Sequence, residues 1–332
     1  MAEIRDLPWE KLSGCNILVT GATGLIGSCL VDVLMTNPNK DYQVYALGRN
    51  EKRAKARFYQ FQDDPSFHFL LGDVTQPLVC DVPFHFIIHA ASNGSPNFFA
   101  NNPVEVMKSN LYGVANLIEY GLEHDMKRFL YVSTGEVYGV TEASHLDENN
   151  YGYVDILNTR SCYPSSKRAA ETLAMCYAGE YDADVVIARP CHTYGPYFTE
   201  SDNRVYAQFI RNVLNGEDII LKSAGTQYRS WCFVEDCVSA LLYILLKGKS
   251  GEAYNVADKN SVATIRELAE TIAHIAGRRV VMQMPADSER KAYTPIKRAV
   301  FNTSKLEELG WSVSGSLEEK LRKTIEACKL HG

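Results

Sequence analysis

The chain predicts an α/β protein: a doubly wound parallel sheet with a smaller, discontinuous second lobe. Three observations carry this. Short apolar runs alternate with helical patterns from Asn16 to about Pro190. A glycine-rich turn, Gly21-Ala22-Thr23-Gly24-Leu25-Ile26-Gly27, joins the first run to the first helix. After Arg189 the alternation loosens into polar segments with Gly and Pro. Strand and helix alternating at this spacing put helices on both faces of a parallel sheet, through right-handed crossovers.

The elements follow in order. Asn16–Thr20 (NILVT) is a short apolar strand, and Gly24–Met35 has helical spacing. Gln43–Leu47, Phe67–Leu71 and Phe86–His89 are strands two to four. Val104–His124 is a long helix and Arg128–Ser133 a fifth strand. Ser165–Tyr181 is helical, and Asp184–Ala188 returns to the sheet. Beyond it, Tyr194–Asn203 is loop-like, Val205–Leu214 a helix and Ile219–Leu221 a short strand. Cys232–Val234 precedes a helical stretch, Cys237–Leu246, and Glu252–Val256 is a further sheet strand. Helices at Ile265–Ile275 and Leu317–Lys329 close the chain. The division expected is a nucleotide lobe of residues 1–190 plus about 232–256, and a substrate lobe of 191–231 and 257–332.

Composition narrows the classes. Of 332 residues, 46% are hydrophobic and 22% charged, with 40 acidic against 34 basic side chains and a net charge of −6. No Lys/Arg block marks a nucleic-acid surface. No apolar run approaches the ~18 residues of a membrane span. Met1–Trp9 lacks the apolar core of a secretory signal, so the expectation is cytoplasmic. Nine cysteines are odd in number and scattered, with no CxxC or Cys/His spacing for a metal. They read as reduced small hydrophobes.

The glycine turn has GxxGxxG spacing between an apolar strand and an amphipathic helix. Glycines there allow a tight turn and close approach of a pyrophosphate, while the helix N-terminus offers free N–H groups. The pattern points to a dinucleotide. At the end of the second strand stand Gly48 and Arg49, with no carboxylate. An acidic residue there would bond the ribose of NAD, whereas Arg suits a 2′-phosphate, so the leaning is NADP over NAD.

Tyr163 and Lys167 have YxxxK spacing and share one helix face. An ammonium beside a phenol favours the phenolate, so Tyr163 becomes a candidate base. The fifth strand runs into Ser133-Thr134-Gly135-Glu136, which sets a hydroxyl and a carboxylate over the C-terminal sheet edge.

With these motifs the chain resembles the extended short-chain dehydrogenase/reductases of the nucleotide-sugar epimerase/dehydratase kind. The likeness covers TGATGLIG (Thr20–Gly27), GDV (Gly72–Val74), HAAS (His89–Ser92) and SNLYGVANL (Ser109–Leu117). It continues through STGEVYG (Ser133–Gly139), YPSSK (Tyr163–Lys167) and RPCHTYGP (Arg189–Pro196). The resemblance implies a Rossmann-type sheet, NAD or NADP, a nucleoside-diphosphate sugar, and a homodimer. It implies cofactor contacts from Gly21, Thr23, Gly24, Leu25, Ile26, Gly27, Asp73, Val74, Ala90, Ala91 and Asn110. Tyr163, Lys167, Pro190 and His192 would complete them. Substrate contacts are expected from Ser92, Ser95, Phe99, Arg204, Arg229 and Arg290, the two arginines inside matched motifs as diphosphate ligands.

Within the family, the UDP-glucuronate decarboxylase branch is matched by ASNGSPNFFANNP (Ala91–Pro103), by Arg160-Ser161-Cys162-Tyr163, and by stretches Asp202–Phe209 and Thr226–Trp231. Three positions depart from that branch: Phe99 replaces a loop Tyr, Gly135 a Ser, and Gly48-Arg49 an acidic residue. Gly135 also removes the Asp of the 4,6-dehydratases, and Glu136 is unlike most 4-epimerases. In the chemistry implied, Tyr163 takes the proton of the sugar 4-hydroxyl, Thr134 holds that hydroxyl, Lys167 bonds the nicotinamide ribose, and Glu136 serves C5. Decarboxylation leads. Epimerisation, 4,6-dehydration and net 4-keto reduction stay open, as does a non-catalytic sensor on the same fold. Cys162 and Cys191 fall beside the site as candidate reactive thiols.

Overall fold

The computed structural model describes residues 4, 6–283 and 296–331. In chain order the sheet and helices are β1 (Asn16–Thr20), α1 (Leu25–Met35), β2 (Gln43–Gly48), α2 (Glu51–Arg57), β3 (Phe67–Leu71) and β4 (Phe86–His89). Then come α3 (Pro96–Asn101), α4 (Pro103–Glu123), β5 (Arg128–Val132), α5 (Cys162–Tyr181), β6 (Val185–Pro190) and β7 (His192–Tyr194). They are followed by α6 (Val205–Leu214), β8 (Ile219–Leu221), β9 (Tyr228–Phe233), α7 (Val234–Lys247) and β10 (Ala253–Val256). The last are β11 (Val262–Thr264), α8 (Ile265–Ile275), β12 (Val280–Met282), β13 (Arg298–Ala299), α9 (Ser304–Glu307) and α10 (Leu317–His331).

Seven strands form one sheet in the order β10-β6-β5-β4-β1-β2-β3. Each neighbouring pair is parallel. The central strands are largely apolar because both faces are covered: all four residues of β4 and all six of β6, Arg189 among them, are buried. On one face lie Leu30 and Leu34 of α1 with Leu241 and Leu245 of α7. On the other lie Val114 and Leu117 of α4 with Ala170 and Ala174 of α5. Chain order reverses direction between β1 and β4, which opens a crevice at their C-terminal ends.

Outside this sheet, β9 pairs with β11 antiparallel and with β13 and β7 in parallel, and β12 pairs with β8. These pieces are contributed from both sides of β10, so the chain leaves the main sheet and returns to it.

Boundaries moved where a single residue type misled. Helix α5 starts at Cys162, not Ser165, because Pro164 sits in the first turn, where its missing N–H has no helical partner. Helix α2 was not foreseen. Its sequence, EKRAKAR, has no apolar period, and it is started by Asn50, which accepts the Arg53 N–H.

One buried ion pair fastens α5 to the sheet. Arg189 of β6 meets Glu171 of α5 at 2.6 Å, with the two side chains 3% and 9% exposed. Arg189 also donates to the Glu148 carbonyl. Arg189→Met leaves Glu171 as an uncompensated buried carboxylate and should lower stability by about 3–5 kcal/mol. Urea denaturation measures it; an unchanged midpoint would show that the pair does not hold the helix.

Candidate functional site

The glycine turn closes the crevice at the strand reversal. Gly21 has φ +64°, and a Cβ on it would stand 2.7 Å from the Ala90 carbonyl oxygen and from the Ala91 Cα. Only glycine lets the β1–α1 turn lie against the end of β4. A Cβ on Gly27 would stand 2.4 Å from the Gly21 carbonyl oxygen. Helix α1 begins after Gly24 with no side-chain cap and no acidic residue in its first turn. Its free N–H groups and positive dipole end suit a pyrophosphate. This cradle fits a dinucleotide.

The predicted cofactor residues spread from that turn. Thr23 offers its carbonyl to Arg53 at 2.7 Å. Leu25 and Val74 are buried in the core, so their part is to shape the walls. Arg49, at the end of β2, lies 3.1 Å from Glu105 and 3.5 Å from Asp73. A cavity of about 610 Å³ opens there, lined by Arg49, Asp73, Glu105, Lys108 and Tyr112 among others. Asn110 is buried, with its amide bonded to Ser92 and Ser166. It positions the loop after β4 and the first turns of α5.

Tyr163 and Lys167 are brought together with Thr134 at the C-terminal end of β5. The Thr134 side chain, which accepts from the Glu136 N–H, stands beside the Tyr163 phenol and favours its charged form. The Lys167 ammonium donates to the Val132 carbonyl at 2.9 Å, lies 4.6 Å over the Tyr131 ring, and is 6.0 Å from the Tyr163 ring. Burial pushes the ammonium down to about 7, with Glu171 opposing. Burial and the charge of Glu136 push the Tyr163 phenol up to about 12, against Thr134, Arg204 and Arg160. Sequence reasoning expected Lys167 to draw the phenol down; here burial outweighs the cations.

Phe99 is 1% exposed and stacks on Tyr163 with centroids 4.4 Å apart. It backs the phenol rather than facing the cleft, which corrects its reading as a substrate contact. Ser95 bonds Asn203 at 2.7 Å, so the loop after β4 is tied to the start of α6. Glu136 is held by Arg160 through two bonds of 3.0 Å. His192 is exposed at the surface of the cleft, tilted against Trp231, and the loss of water to the surrounding walls, with the charges of Arg229 and Arg204, keeps its imidazole below the ordinary value.

The predicted diphosphate ligands differ in state. Arg204 is bonded to Asp202 and Tyr206. Arg229 is 3% exposed and donates to the carbonyls of Tyr228 and Ile296. Among the described residues it has no carboxylate within ion-pair distance. Burial pushes it down to about 10, with only distant Glu136 opposing. Ile26 packs against the core edge, Pro190 ends β6, and Arg290 lies outside the described residues.

The expected thiol reactivity of Cys162 and Cys191 fails. Desolvation raises both, the opposite of an activated thiolate. Sequence reasoning missed Arg53, Arg160 as a site residue, and Phe301. Arg53 stands four residues after Arg49, one helical turn on, and Arg160 three before Tyr163. Phe301 had no local signal: a Cβ on Gly135 would stand 2.0 Å from its ring, although 166 positions separate the two in sequence.

A strand-order reversal and a glycine cradle at the sheet edge, with Tyr163 and Lys167 beside it, define an α/β protein of the dinucleotide-binding class. The model of the NAD dependent epimerase/dehydratase family matches residues 17–257, and the chain belongs to that family. It is 35% identical to UDP-glucuronic acid decarboxylase 5 of Arabidopsis thaliana over 313 residues, covering 93% of this chain and 88% of the relative. UDP-glucuronic acid decarboxylase 1 of Xenopus tropicalis is 31% identical, covering 93% and 71%. The fold matches the UDP-glucose 4-epimerase of Thermotoga maritima with a TM-score of 0.81 at 24% identity, over 95% and 99% of the chains. A dTDP-glucose 4,6-dehydratase of Streptomyces venezuelae matches at 0.80 and 24%, over 94% and 96%. No helix among the described residues is long and apolar enough to cross a membrane.

Two outcomes follow from the site. Lys167 titrates near 7 in the fold and about 10.4 when unfolded. Between those values the unfolded chain binds the extra proton, so this contribution to stability rises with pH and is most unfavourable below 7. Lys167→Met should therefore gain stability relative to wild type at pH 6 and lose that advantage by pH 10. A pH-independent difference in denaturation midpoint would contradict the buried-ammonium reading. Gly135→Ser meets the Phe301 ring and should destabilise, whereas Gly135→Ser with Phe301→Ala should recover part of the loss; additive losses in a double-mutant cycle would refute the contact.

Proposed function

We propose that the protein is a nucleoside-diphosphate-sugar enzyme that oxidises the sugar at C4 and decarboxylates the resulting 4-keto uronic acid. The observation that carries this reading is the buried Arg229 without a carboxylate partner among the described residues, within electrostatic reach of Glu136 and His192. A buried cation of that kind calls for an anionic ligand, and a diphosphate is anionic. The decarboxylases at 35% identity support the choice of reaction.

The fit of the cradle supports a nicotinamide dinucleotide held by Gly21, Thr23, Gly24, Gly27 and the N-terminus of α1. Arg49, Arg53 and Lys108 would lie toward its adenosine end, and Lys167, Pro190 and His192 toward its nicotinamide. When bound, it supplies the acceptor and donor of a hydride. Three cations near the adenosine end, with no carboxylate at the end of β2, support NADP over NAD.

Thr134 holds the sugar 4-hydroxyl, and Tyr163 receives its proton as C4 becomes a carbonyl. The C5–C6 bond then breaks, its electron pair moving toward the C4 carbonyl as carbon dioxide leaves. C5 takes a proton in the region of Glu136. Dehydration is disfavoured because the Phe301 ring fills the space beside Thr134 where an acidic side chain at 135 would stand. We also read a homodimer through α4 and α5, supported by exposed Val104, Met107 and Tyr112 on α4 and Met175 on α5.

Incubation with UDP-glucuronate and either dinucleotide, read by product mass, tests the reaction. Loss of carbon dioxide is expected. Retained mass would point to epimerisation, and stoichiometric consumption of reduced dinucleotide to a reductase. Tyr163→Phe should lower turnover by about 10²–10⁴-fold. Arg49→Asp should shift preference toward NAD, and an unchanged NADP preference would overturn the phosphate contact.

A further inference from the structure

Three guanidinium groups belong to the site, Arg204 and Arg160 beside Tyr163 and Arg229 near Glu136 and His192, and their partners differ. Arg204 is held by the Asp202 carboxylate and the Tyr206 hydroxyl. Arg229 is held by two main-chain carbonyls. Among the described residues, the Arg160 guanidinium has one hydrogen-bond partner, Glu136, whose two carboxylate oxygens it meets at 3.0 Å each. Both side chains of that pair are open to the cleft, 41% and 36% exposed.

An ion pair in that setting is weak, because water competes for both members. The fork of a guanidinium accepts any carboxylate of the same geometry. What is fixed is the fork, not its partner. The Phe99 ring lies 4.8 Å from the Arg160 guanidinium and stacks at 4.4 Å and 18° against the Tyr163 ring. One buried aromatic plate therefore indexes Arg160 to the phenol. Glu136 has no second hydrogen bond to its carboxylate among the described residues, so it can leave while Arg160 stays.

From this we infer that Arg160 reads a carboxylate on the sugar and that Glu136 is its exchangeable partner. The substrate carboxylate takes the fork and releases Glu136 into the reacting space. This rests on the nucleotide-sugar reading and deepens it, by assigning the selection of a nucleoside-diphosphate uronic acid to one residue. The exchange is conservative in charge: Arg160 keeps one bidentate carboxylate before and after binding. Once the sugar has lost its carboxylate as carbon dioxide, the fork is empty and Glu136 returns to it. Glu136 thus competes with substrate, and its removal strengthens binding of the uronic acid.

The test is equilibrium binding of UDP-glucuronate and UDP-glucose to the enzyme loaded with reduced dinucleotide, which takes no hydride from C4. Wild type should bind UDP-glucuronate at least 10-fold more tightly than UDP-glucose. Arg160→Gln should bring the two within about 3-fold, chiefly by weakening UDP-glucuronate. Arg160→Lys, which keeps the charge but not the fork, should fall between and guards against a folding defect. Glu136→Gln should raise the preference for UDP-glucuronate several-fold above wild type. A preference that survives Arg160→Gln overturns the inference. So does a Glu136→Gln variant that weakens both sugars equally, the sign of a merely structural pair, and so does a wild type that does not discriminate. Discrimination by the wild type and its loss in Arg160→Gln, with no release of carbon dioxide on turnover, would sustain the inference and overturn decarboxylation instead.

Discussion

Among the described residues the site holds more cations than carboxylates bonded to them, and that excess is the constraint on which the site depends. The cations are Lys167 on α5, Arg204 at the start of α6, Arg229 on β9 and Arg160 in the turn before α5, with Lys167 and Arg229 buried and the other two partly exposed. The carboxylates bonded to them among the described residues are Asp202 and Glu136. Glu171, near Lys167, is committed to Arg189. Taking cations out of water without equal anions is costly, and the fold carries that cost at one place. The downward displacement of Lys167 and Arg229 is its signature. A polyanionic ligand removes it, so ligand binding and local stability are coupled.

The scaffold makes the arrangement possible. A parallel sheet covered on both faces has one place for a ligand, the C-terminal edge where strand order reverses. Gly21 presses the first turn against Ala90 and Ala91 there. The Arg189–Glu171 pair locks α5 to β6 and so sets the height of Tyr163 and Lys167 above the edge. Phe99 then fixes the phenol from behind and Arg160 from the side. Packed elements hold the cations, and the half-exposed Glu136 carboxylate, bonded among the described residues to Arg160 alone, is the least constrained part.

Much of this was legible because the signals were local. The strand, glycine turn and helix at residues 16–35 are contiguous, and Tyr163 and Lys167 are one helical turn apart. The start of α5 slipped at Pro164, whose place in the first turn depends on the residues before it, and α7 starts at Val234 rather than Cys237, directly after β9. Contacts made across the chain were not legible. Gly135 reads as a lost hydroxyl, and only the fold shows the Phe301 ring in the space a side chain would take. Phe99 reads as a ligand contact by position, yet packing turns it inward. The thiols of Cys162 and Cys191 sit beside the site in sequence, but desolvation decides their chemistry.

The central claim is that Arg229, which has no carboxylate partner among the described residues, is paired by the ligand's diphosphate. Denaturation of wild type and Arg229→Met, each with UDP and with uridine, tests it most directly. At 100-fold excess over its dissociation constant, UDP should stabilise wild type by about 2.7 kcal/mol. The variant, freed of a buried charge that has no carboxylate partner among the described residues, should be at least as stable as wild type without ligand and gain far less from UDP. Uridine, which lacks the diphosphate, should do little for either. Equal stabilisation of both proteins by UDP would contradict the account.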